Sequence, residues 1–355
     1  MDDAEAARDL RRQCTRFVAG HGHVTAEMVL ADLPTDTEFD RYGDGGVVQA
    51  LENRVAGLLG KPAAVFVPSG TMAQQATLRV HADRRGRRTV VSHPTCHLLL
   101  HEDNAMTRLH DLVGRAVGSR DRLLTLDDLT AVAEPVAALL IELPQREIGG
   151  QLPTLDDLGV QLDWARERGA ATHLDGARLW EAAAAYSRPV DEIAALFDTV
   201  YVSFYKGIGA LPGCCVAGAD DVIAEVREWR KRMGGTLFGM WPNAASAMTC
   251  LDRRLPRMTT YVDTARELAG ALRGRPGMRL VPDPPQTNMM HLLLEVTADD
   301  FVVNARRLAT EEKIWTWPKA MPTLDPQVQR VELSVGDATL EWDVPELANA
   351  LAALV

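Results

Sequence analysis

The sequence predicts an α/β protein with a mostly parallel central sheet and a smaller C-terminal α/β domain. Short apolar, β-rich segments alternate with segments whose apolar residues stand three and four positions apart, as in amphipathic helices. Strands that alternate with helices favour βαβ units, and these units build parallel sheets. A chain of 355 residues is too long for one ordinary core and suits two unequal domains.

The order of these segments divides the chain into three parts. Residues 1–45 show little periodicity beyond a first helix, and we expect an N-terminal arm that packs on a partner subunit. Residues 46–248 form the large domain, with the predicted strands AAVFVPS, RTVVSH, VAALLIELP, AATHLD, TVYVSFY and GCCVAG. Residues 249–355 form the small domain: a long helical stretch, the strands MRLVP, NMMHLLLEV and VQRVELSV, and a final helix.

Composition excludes several classes of protein. A net charge of −11 argues against a broad nucleic-acid-binding surface. No run of 18 apolar residues indicates a membrane span, and the charged N-terminus lacks the apolar segment of a secretory signal. Five cysteines occur without the spacing of a zinc site or a disulfide framework. We therefore expect a cytoplasmic protein.

Three predicted strands end on polar residues, and ligands of open parallel sheets bind beyond such ends. The first end is VFVPSGTMA, where Ser69, Gly70 and Thr71 lie between a strand and a helix. Free N–H groups at a helix N-terminus, with hydroxyl groups beside them, can bind an anion. The alternative is an ordinary helix cap, for which Ser and Thr are preferred.

The other two strand ends carry one charged residue each. Asp175 follows a strand in ATHLDGARLWEA and could pair with a protonated ring nitrogen, or form a structural ion pair or cap. Lys206 ends the apolar segment VYVSFYK and precedes Gly207. Burial disfavours a charged amine, and a neutral amine can form a Schiff base with a carbonyl group. Alternatively, the lysine stem lies on apolar surface while its amine reaches water.

Taken together, the three strand ends describe one kind of site. An anion cradle, a carboxylate for a pyridinium nitrogen and an imine-forming lysine are the groups that hold pyridoxal 5′-phosphate.

From about Arg41 onward the chain resembles the low-specificity L-threonine aldolases, in the β-eliminating-lyase-like group of fold type I pyridoxal-phosphate enzymes. The resemblance rests on the ordered segments RYGDGGVVQALE, FVPSGTMA, CHLLLHE, IELPQREIGG, HLDGARLWEA, SFYKGIGALPG, WRKRMGGT, TNMM and VQRVELSV. It implies an aminotransferase-like large domain and a homodimer or homotetramer with shared active sites.

The resemblance also implies roles for individual residues. Lys206 matches the lysine that binds the cofactor as a Schiff base, and Asp175 matches the partner of the pyridine nitrogen. His97 matches a histidine that stacks on the cofactor ring and lies near the proposed base; Glu102 follows it as in the family. Gly70 and Thr71, with Ser69 before them, match the loop that binds the phosphate, and Lys231 matches a lysine near the phosphate. Arg178 and Arg330 match the arginines that hold the substrate carboxylate. Tyr42 lies in a segment that reaches a neighbouring subunit's site in the family.

Three departures affect the pocket. The N-terminal Ser-Asp-Thr segment of the family has no counterpart, Tyr205 replaces the serine before the lysine, and Phe238 replaces an arginine near the phosphate. These changes suggest a reshaped pocket and leave the aldehyde half of the substrate open.

The expected activity is retro-aldol cleavage of a threonine-like β-hydroxy-α-amino acid to glycine and an aldehyde. Lys206, Asp175 and His97 are the candidate catalytic residues. One alternative keeps the cofactor and changes the reaction to β-elimination, racemisation, decarboxylation, aminotransfer or aldol-type condensation. Another is a metalloenzyme that uses His93, His97 and His101, spaced four apart, although Pro94 interrupts a helix there and no HExxH motif is present. A third is a non-catalytic binding protein, which the retention of Lys206, Asp175 and Arg330 disfavours.

Overall fold

A computed structural model describes residues 3–34 and 36–355 of the chain. Residues 1, 2 and 35 of the predicted N-terminal arm therefore lie outside the described residues. The helices are α1 Asp3–Gln13, α2 Ala26–Ala31, α3 Gly46–Leu58, α4 Gly70–Arg85, α5 His97–Leu100, α6 Ala105–His110, α7 Leu126–Thr130, α8 Leu155–Glu167, α9 Leu179–Tyr186, α10 Val190–Ala194, α11 Asp220–Arg232, α12 Trp241–Arg254, α13 Met258–Leu272, α14 Ala298–Glu311 and α15 Val344–Ala352. The strands are β1 Arg16–Phe17, β2 Ala63–Val67, β3 Thr89–Ser92, β4 Val113–Ala116, β5 Val136–Glu142, β6 Ala171–Gly176, β7 Thr199–Ser203, β8 Cys214–Gly218, β9 Met278–Val281, β10 Met289–Leu294, β11 Ile314–Trp315, β12 Met321–Pro322 and β13 Gln329–Ser334.

The chain folds into two compact units. The large unit contains Val29–Ile148 and Leu152–Pro256, and the small unit contains Met1–Met28, Gly149–Gln151 and Arg257–Val355. This division differs from the predicted parts, because the first residues of the arm pack within the small unit and the second boundary falls at Pro256. The packing of an arm on a partner subunit stays a prediction.

The large unit is built on a seven-stranded sheet with the order β2-β8-β7-β6-β5-β3-β4. Strand β8 runs antiparallel to both of its neighbours, and the pairs among β7, β6, β5, β3 and β4 are all parallel. The interior strand β5 reads VAALLIE and is buried over its first six residues, as expected for a strand covered by helices on both faces. The predicted mostly parallel sheet is confirmed.

Helix α4 positions the site because it follows β2 directly and packs on the sheet. Its buried face includes Ala73, Ala76 and Val80, which join Val65 of β2 and Val216 of β8 in one apolar cluster. The helix ends at Gly86 in the left-handed conformation, with φ of 61°.

The small unit contains the antiparallel sheet β12-β13-β10-β9 and a two-stranded parallel pair, β1-β11. Helices α13 and α15 pack together, and α1 packs on α14. This arrangement confirms the predicted α/β character of the C-terminal part. In the part of the chain that the structure describes, no helix has the length and apolar character needed to cross a membrane.

Candidate active site

The carboxyl ends of the central strands surround a pocket of about 410 Å³ in the large unit. Its wall brings together most of the residues that the sequence analysis singled out. The lining residues are Gly70, Thr71, Gln74, His97, Glu102, Glu142, Arg146, Asp175, Ala177, Arg178, Tyr201, Tyr205 and Lys206.

Lys206 follows β7 by three residues and reaches the pocket beside Tyr205. Its Nζ lies 5.0 Å from the centroid of the Tyr205 ring, within the range of a cation–π contact. A Cβ at Gly207 would overlap the buried carboxylate of Glu181, so a larger residue there would require that side chain to move. This packing explains why glycine follows the lysine at the end of an apolar strand.

Asp175 lies near the end of β6 and is 3% exposed. Its Oδ2 accepts a hydrogen bond of 2.6 Å from Gln74 Nε2, and its Oδ1 accepts one of 3.1 Å from the backbone N–H of Ala177. Burial raises the pKa of Asp175, whereas these two donors and the nearby His97 act in the opposite direction. A buried carboxylate with this balance is suited to pair with a cation.

The loop between β2 and α4 supplies the candidate anion site. Ser69 is the N-terminal cap residue of α4, but its side chain makes no capping hydrogen bond and does not line the pocket. Gly70 and Thr71 begin the helix and line the pocket. A Cβ at Gly70 would overlap the Tyr201 hydroxyl, so only glycine permits this close approach. The first N–H groups of a helix have no intrahelical acceptor and can bind an anion.

His97 lies at the mouth of the pocket with a buried carboxylate behind it. Its Nδ1 is 3.1 Å from Glu102 Oε1, and Glu102 Oε2 accepts a 2.6 Å hydrogen bond from Gln75 Nε2. The Glu102 side chain is completely buried, whereas that of His97 is 37% exposed. The carboxylate therefore fixes which ring nitrogen faces the protein and leaves Nε2 as the other hydrogen-bonding atom of the ring.

Lys231 and Tyr42 do not line this pocket, and Arg330 belongs to the small unit. Lys231 is exposed in the last turn of α11 and is not part of the pocket wall. Tyr42 is 55% exposed and forms an edge-on contact with Phe238 at 5.4 Å between ring centroids. Arg330 belongs to β13 of the small unit, where its Nη2 lies 3.6 Å from Met321 Sδ. The roles of these three residues stay predictions.

The pocket also contains residues that sequence reasoning missed. Glu142 ends β5 and faces the pocket, where burial and the neighbouring Asp175 raise its pKa to about 8. Its position at a strand end is the same signal that identified Asp175, so it could have been found. The sequence does not mark three other pocket residues in this way: Gln74, Arg146 and Tyr201. Their presence in the pocket depends on which side of a helix, turn or strand faces it.

The three histidines of the metalloenzyme hypothesis do not share one helix face. His93 Nε2 is 2.8 Å from the backbone oxygen of Arg122, His97 pairs with Glu102, and His101 Nε2 is 3.0 Å from Glu147 Oε1. Within residues 3–34 and 36–355, no group of three or more His, Cys, Asp or Glu side chains is arranged to hold a metal ion.

The groups present fit pyridoxal phosphate. Asp175 offers a buried carboxylate that favours a cationic partner, the start of α4 offers N–H groups and a threonine hydroxyl, and Lys206 offers an amine.

Comparison with known proteins agrees with this geometry. The family model described as "Beta-eliminating lyase" matches residues 21–295. Low-specificity L-threonine aldolase 1 of Arabidopsis thaliana is 27% identical over 73% of this chain and 75% of its own length. Low specificity L-threonine aldolase of Escherichia coli O157:H7 is 31% identical over 66% of this chain and 71% of its own.

A solved structure extends the similarity to nearly the whole chain. The protein from Listeria monocytogenes EGD-E described as a "putative L-allo-threonine aldolase" superposes with a TM-score of 0.93 at 37% identity, over 99% of this chain and 100% of that one. This match confirms the predicted fold type I architecture and the resemblance on which it rested. The chain belongs to the beta-eliminating lyase family.

Proposed function

We propose that this protein is a pyridoxal-phosphate-dependent aldolase that cleaves a threonine-like β-hydroxy-α-amino acid to glycine and an aldehyde. The observation that carries the proposal is that Lys206, Asp175 and the start of α4 line one pocket in a member of this family. The names of the relatives in Arabidopsis thaliana and Escherichia coli support the choice of a threonine-like substrate.

The residues divide the work of holding the cofactor. Lys206 would hold it covalently through its amine, Asp175 would pair with the ring nitrogen, and Gly70 and Thr71 would bind its phosphate. When bound, pyridoxal phosphate supplies an electron sink for the bond that breaks at the α-carbon.

The residues around this group orient the substrate and move its proton. Arg178 lines the pocket and is suited to hold the substrate carboxylate, because a guanidinium group binds a carboxylate in bidentate fashion. We assign the same task to Arg330. Glu102 orients His97 so that Nε2 can accept the proton of the β-hydroxyl group, directly or through one water molecule.

The test is to incubate the purified holoenzyme with a panel of β-hydroxy amino acids and to assay glycine and aldehyde. Release of both in equal amounts supports the proposal. Release of ammonia and a keto acid without glycine would instead indicate β-elimination and would overturn it.

A second measurement tests the site directly. Borohydride reduction should fix the cofactor to the peptide that contains Lys206, and Lys206→Ala should abolish both the label and the activity. The control variant, Lys319→Ala, changes an exposed lysine and should keep both. A label on a peptide without Lys206 would contradict the assignment.

We also propose that the chain acts as a homodimer or homotetramer in the cytoplasm. The support is an exposed aromatic cluster in the large unit, in which Phe39 packs on Trp241 and Tyr42 packs on Phe238. Phe39 and Phe238 are 70% and 64% exposed. The five cysteines are buried and free, which suits a reducing compartment. Sedimentation equilibrium would measure the mass, and a monomer at micromolar concentration would contradict the assembly.

A further inference from the structure

A continuous line of buried polar side chains leads from the outer part of α4 to Asp175. Gln74 Nε2 lies 2.6 Å from Asp175 Oδ2, and Gln74 Oε1 lies 3.3 Å from His173 Nε2. His173 Nδ1 and His81 Nε2 each lie 2.8 Å from the same atom, Thr199 Oγ1. All five residues are at most 3% exposed.

The fold places these groups in a row. His173 and Thr199 are register partners in the parallel strands β6 and β7. Gln74 and His81 are seven residues apart on α4, so they lie two turns apart on one face of the helix. The side chains of His173 and Thr199 therefore lie in the line between Gln74 and His81.

The outer end of the line fixes the direction of its hydrogen bonds. Arg85 Nη1 lies 3.4 Å from His81 Nδ1, and a guanidinium group can only donate. His81 Nδ1 is then an acceptor, so the single ring proton of a neutral His81 is on Nε2 and is donated to Thr199. The Thr199 hydroxyl can then donate its one proton to His173 Nδ1.

The same reasoning continues to the carboxylate. Since His173 Nδ1 accepts, its proton is on Nε2 and is donated to Gln74 Oε1. The amide nitrogen of Gln74 then donates to Asp175. The opposite direction would put a proton on His81 Nδ1, where it would face the guanidinium group of Arg85.

Both histidines are neutral at ordinary pH, as this scheme requires. Burial, with the positive charges of Arg85 and Arg84, lowers the pKa of His81 to about 3. Burial, followed by the neighbouring His81, lowers the pKa of His173 to about 3. Each ring therefore carries one proton, and the chain of donors has one direction.

We propose that four positioning residues form a one-way chain of hydrogen bonds toward Asp175: Gln74, His173, Thr199 and His81. This role rests on the proposed function, in which Asp175 pairs with the cofactor nitrogen. Every member donates toward the carboxylate, so each bond polarises the next and strengthens the last one. The chain holds Asp175 in place as an acceptor and thereby favours a protonated ring nitrogen. No member of the chain other than Asp175 needs to touch the cofactor for this effect.

The direction of the chain can be tested on the cofactor-free protein. Nitrogen-15 NMR of the histidine-labelled chain reports which ring nitrogen carries the proton, and His81→Asn and His173→Asn assign the signals. We expect both rings to be the Nε2–H tautomer. An Nδ1–H tautomer for either ring, or a charged ring at pH 7, would overturn the proposal without any reference to activity.

The effect on the site is tested with the hydroxyl at the centre of the chain. Thr199→Val removes that hydroxyl at nearly constant volume, and Thr199→Ser restores it. The matched control is Thr77→Val: Thr77 is also fully buried, but its Oγ1 donates to the backbone oxygen of Ala73 at 2.8 Å, outside the chain. The readouts are the nitrogen-15 shift of pyridoxal phosphate labelled at its ring nitrogen, kcat and KM.

With Thr199→Val we expect the nitrogen-15 shift of the cofactor ring nitrogen to move toward the unprotonated value. We also expect kcat to fall about tenfold, as when a residue that orients a functional group is removed, and KM to change little. Thr199→Ser and Thr77→Val should stay within about twofold of wild type, which corresponds to a change of about 0.4 kcal/mol in the barrier. A wild-type shift and kcat in Thr199→Val, or the same changes in Thr77→Val, would overturn the proposal.

The two proposals fail in different ways. If the wild-type chain does not take up pyridoxal phosphate, the proposed function is wrong, and the role of the chain at the cofactor is wrong with it. If the wild-type chain takes it up and cleaves the substrate while Thr199→Val is unaffected, only the positioning role is wrong. If Thr199→Val does not fold, the tautomers of the wild-type histidines still decide the direction.

Discussion

Glu142 and Asp175 are register partners in the parallel strands β5 and β6, and both carboxylates face the same pocket. Burial is the main cause of the raised pKa of each group, and the charge of Asp175 contributes further to that of Glu142, which reaches about 8. Asp175 receives the closer hydrogen bonds, from Gln74 at 2.6 Å and Ala177 at 3.1 Å. These donors stabilise the ionised form of Asp175, and the charge of Asp175 in turn opposes the ionisation of Glu142.

The first prediction concerns stability against pH in the cofactor-free protein. The pKa of Glu142 is about 8 in the folded state, compared with 4.5 for an ordinary glutamic acid. The folded state then holds a proton that the unfolded state has released, so stability falls as pH rises from about 4.5 to about 8. Glu142→Gln removes this loss. Urea unfolding should show similar stability of the two proteins at pH 5 and a growing advantage of Glu142→Gln toward pH 8.

Glu167→Gln provides the control because Glu167 is an exposed residue at the end of α8. Its difference from wild type should not change across the same pH range. If the curve of Glu142→Gln runs parallel to that of wild type from pH 5 to pH 8, Glu142 does not hold a proton in the folded state.

The second prediction concerns the charge of Asp175. Asp175→Asn keeps the size of the side chain but removes the anion that would pair with the protonated ring nitrogen. We expect cofactor to remain bound while kcat falls by about 10² to 10³, or about 3 to 4 kcal/mol, as for other preorganised polar groups. The measurements are steady-state kinetics and the pH titration of the visible absorption band.

Asp198→Asn is the matched control for Asp175→Asn. Asp198 precedes β7 at the far end of the same strand pair, where its carboxylate accepts from Thr172 N at 2.8 Å. Its loss should reduce stability and leave kcat within about twofold. Equal kcat values for Asp175→Asn and wild type would contradict the proposed pairing.

The third prediction compares two histidine–carboxylate pairs that are close in sequence. Glu102 is buried behind His97 at 3.1 Å, whereas Glu147 contacts His101 at 3.0 Å in a more exposed position outside the pocket wall. Glu102→Gln keeps the shape but weakens the hold on the imidazole, so we expect kcat to fall about tenfold or more. The pH profile of kcat should also change on the limb that reports a base.

Glu147→Gln should affect kcat and its pH profile less than Glu102→Gln does, because His101 does not line the pocket, although Glu147 also accepts a hydrogen bond of 3.2 Å from Arg146, which does. A similar loss in both variants would show that general electrostatics, rather than the orientation of His97, causes the effect. An unchanged pH profile in Glu102→Gln would remove His97 from the proton transfer.

Much of the fold could be predicted because buried strands carry a strong apolar signal. The segment VAALLIELP became β5, whereas the edge strand β4 was missed because its residues are mostly exposed and form no apolar run. The helical stretch after Met248 was predicted as continuous. Pro256 divides it into α12 and α13, since proline lacks the N–H that a helix interior requires.

The candidate site was predictable where a polar residue ends a strand. That rule found Asp175 and Lys206, and it would have found Glu142. Gln74 could not be identified this way, because its importance comes from the face of α4 that packs on β6. Likewise the spacing of His93, His97 and His101 suggested one helix face, but α5 contains only His97–Leu100.

The last prediction concerns the close packing of Gly70. A Cβ at this position would overlap the Tyr201 hydroxyl and would lie 3.1 Å from Tyr201 Cζ and 3.3 Å from the Tyr205 hydroxyl. Gly70→Ala should therefore displace the start of α4 and weaken cofactor binding by about tenfold or more, since a shift of about 1 Å can misplace a site. Tyr201→Phe in the Gly70→Ala background should recover part of the affinity, because it removes the overlapping oxygen.

Gly57→Ala in α3 is the control: its Cβ would meet no atom within 4 Å, and we expect unchanged affinity with about 0.5–1 kcal/mol of added stability. Additive effects of Gly70→Ala and Tyr201→Phe in a double-mutant cycle of cofactor affinity would show that the two groups do not meet as described.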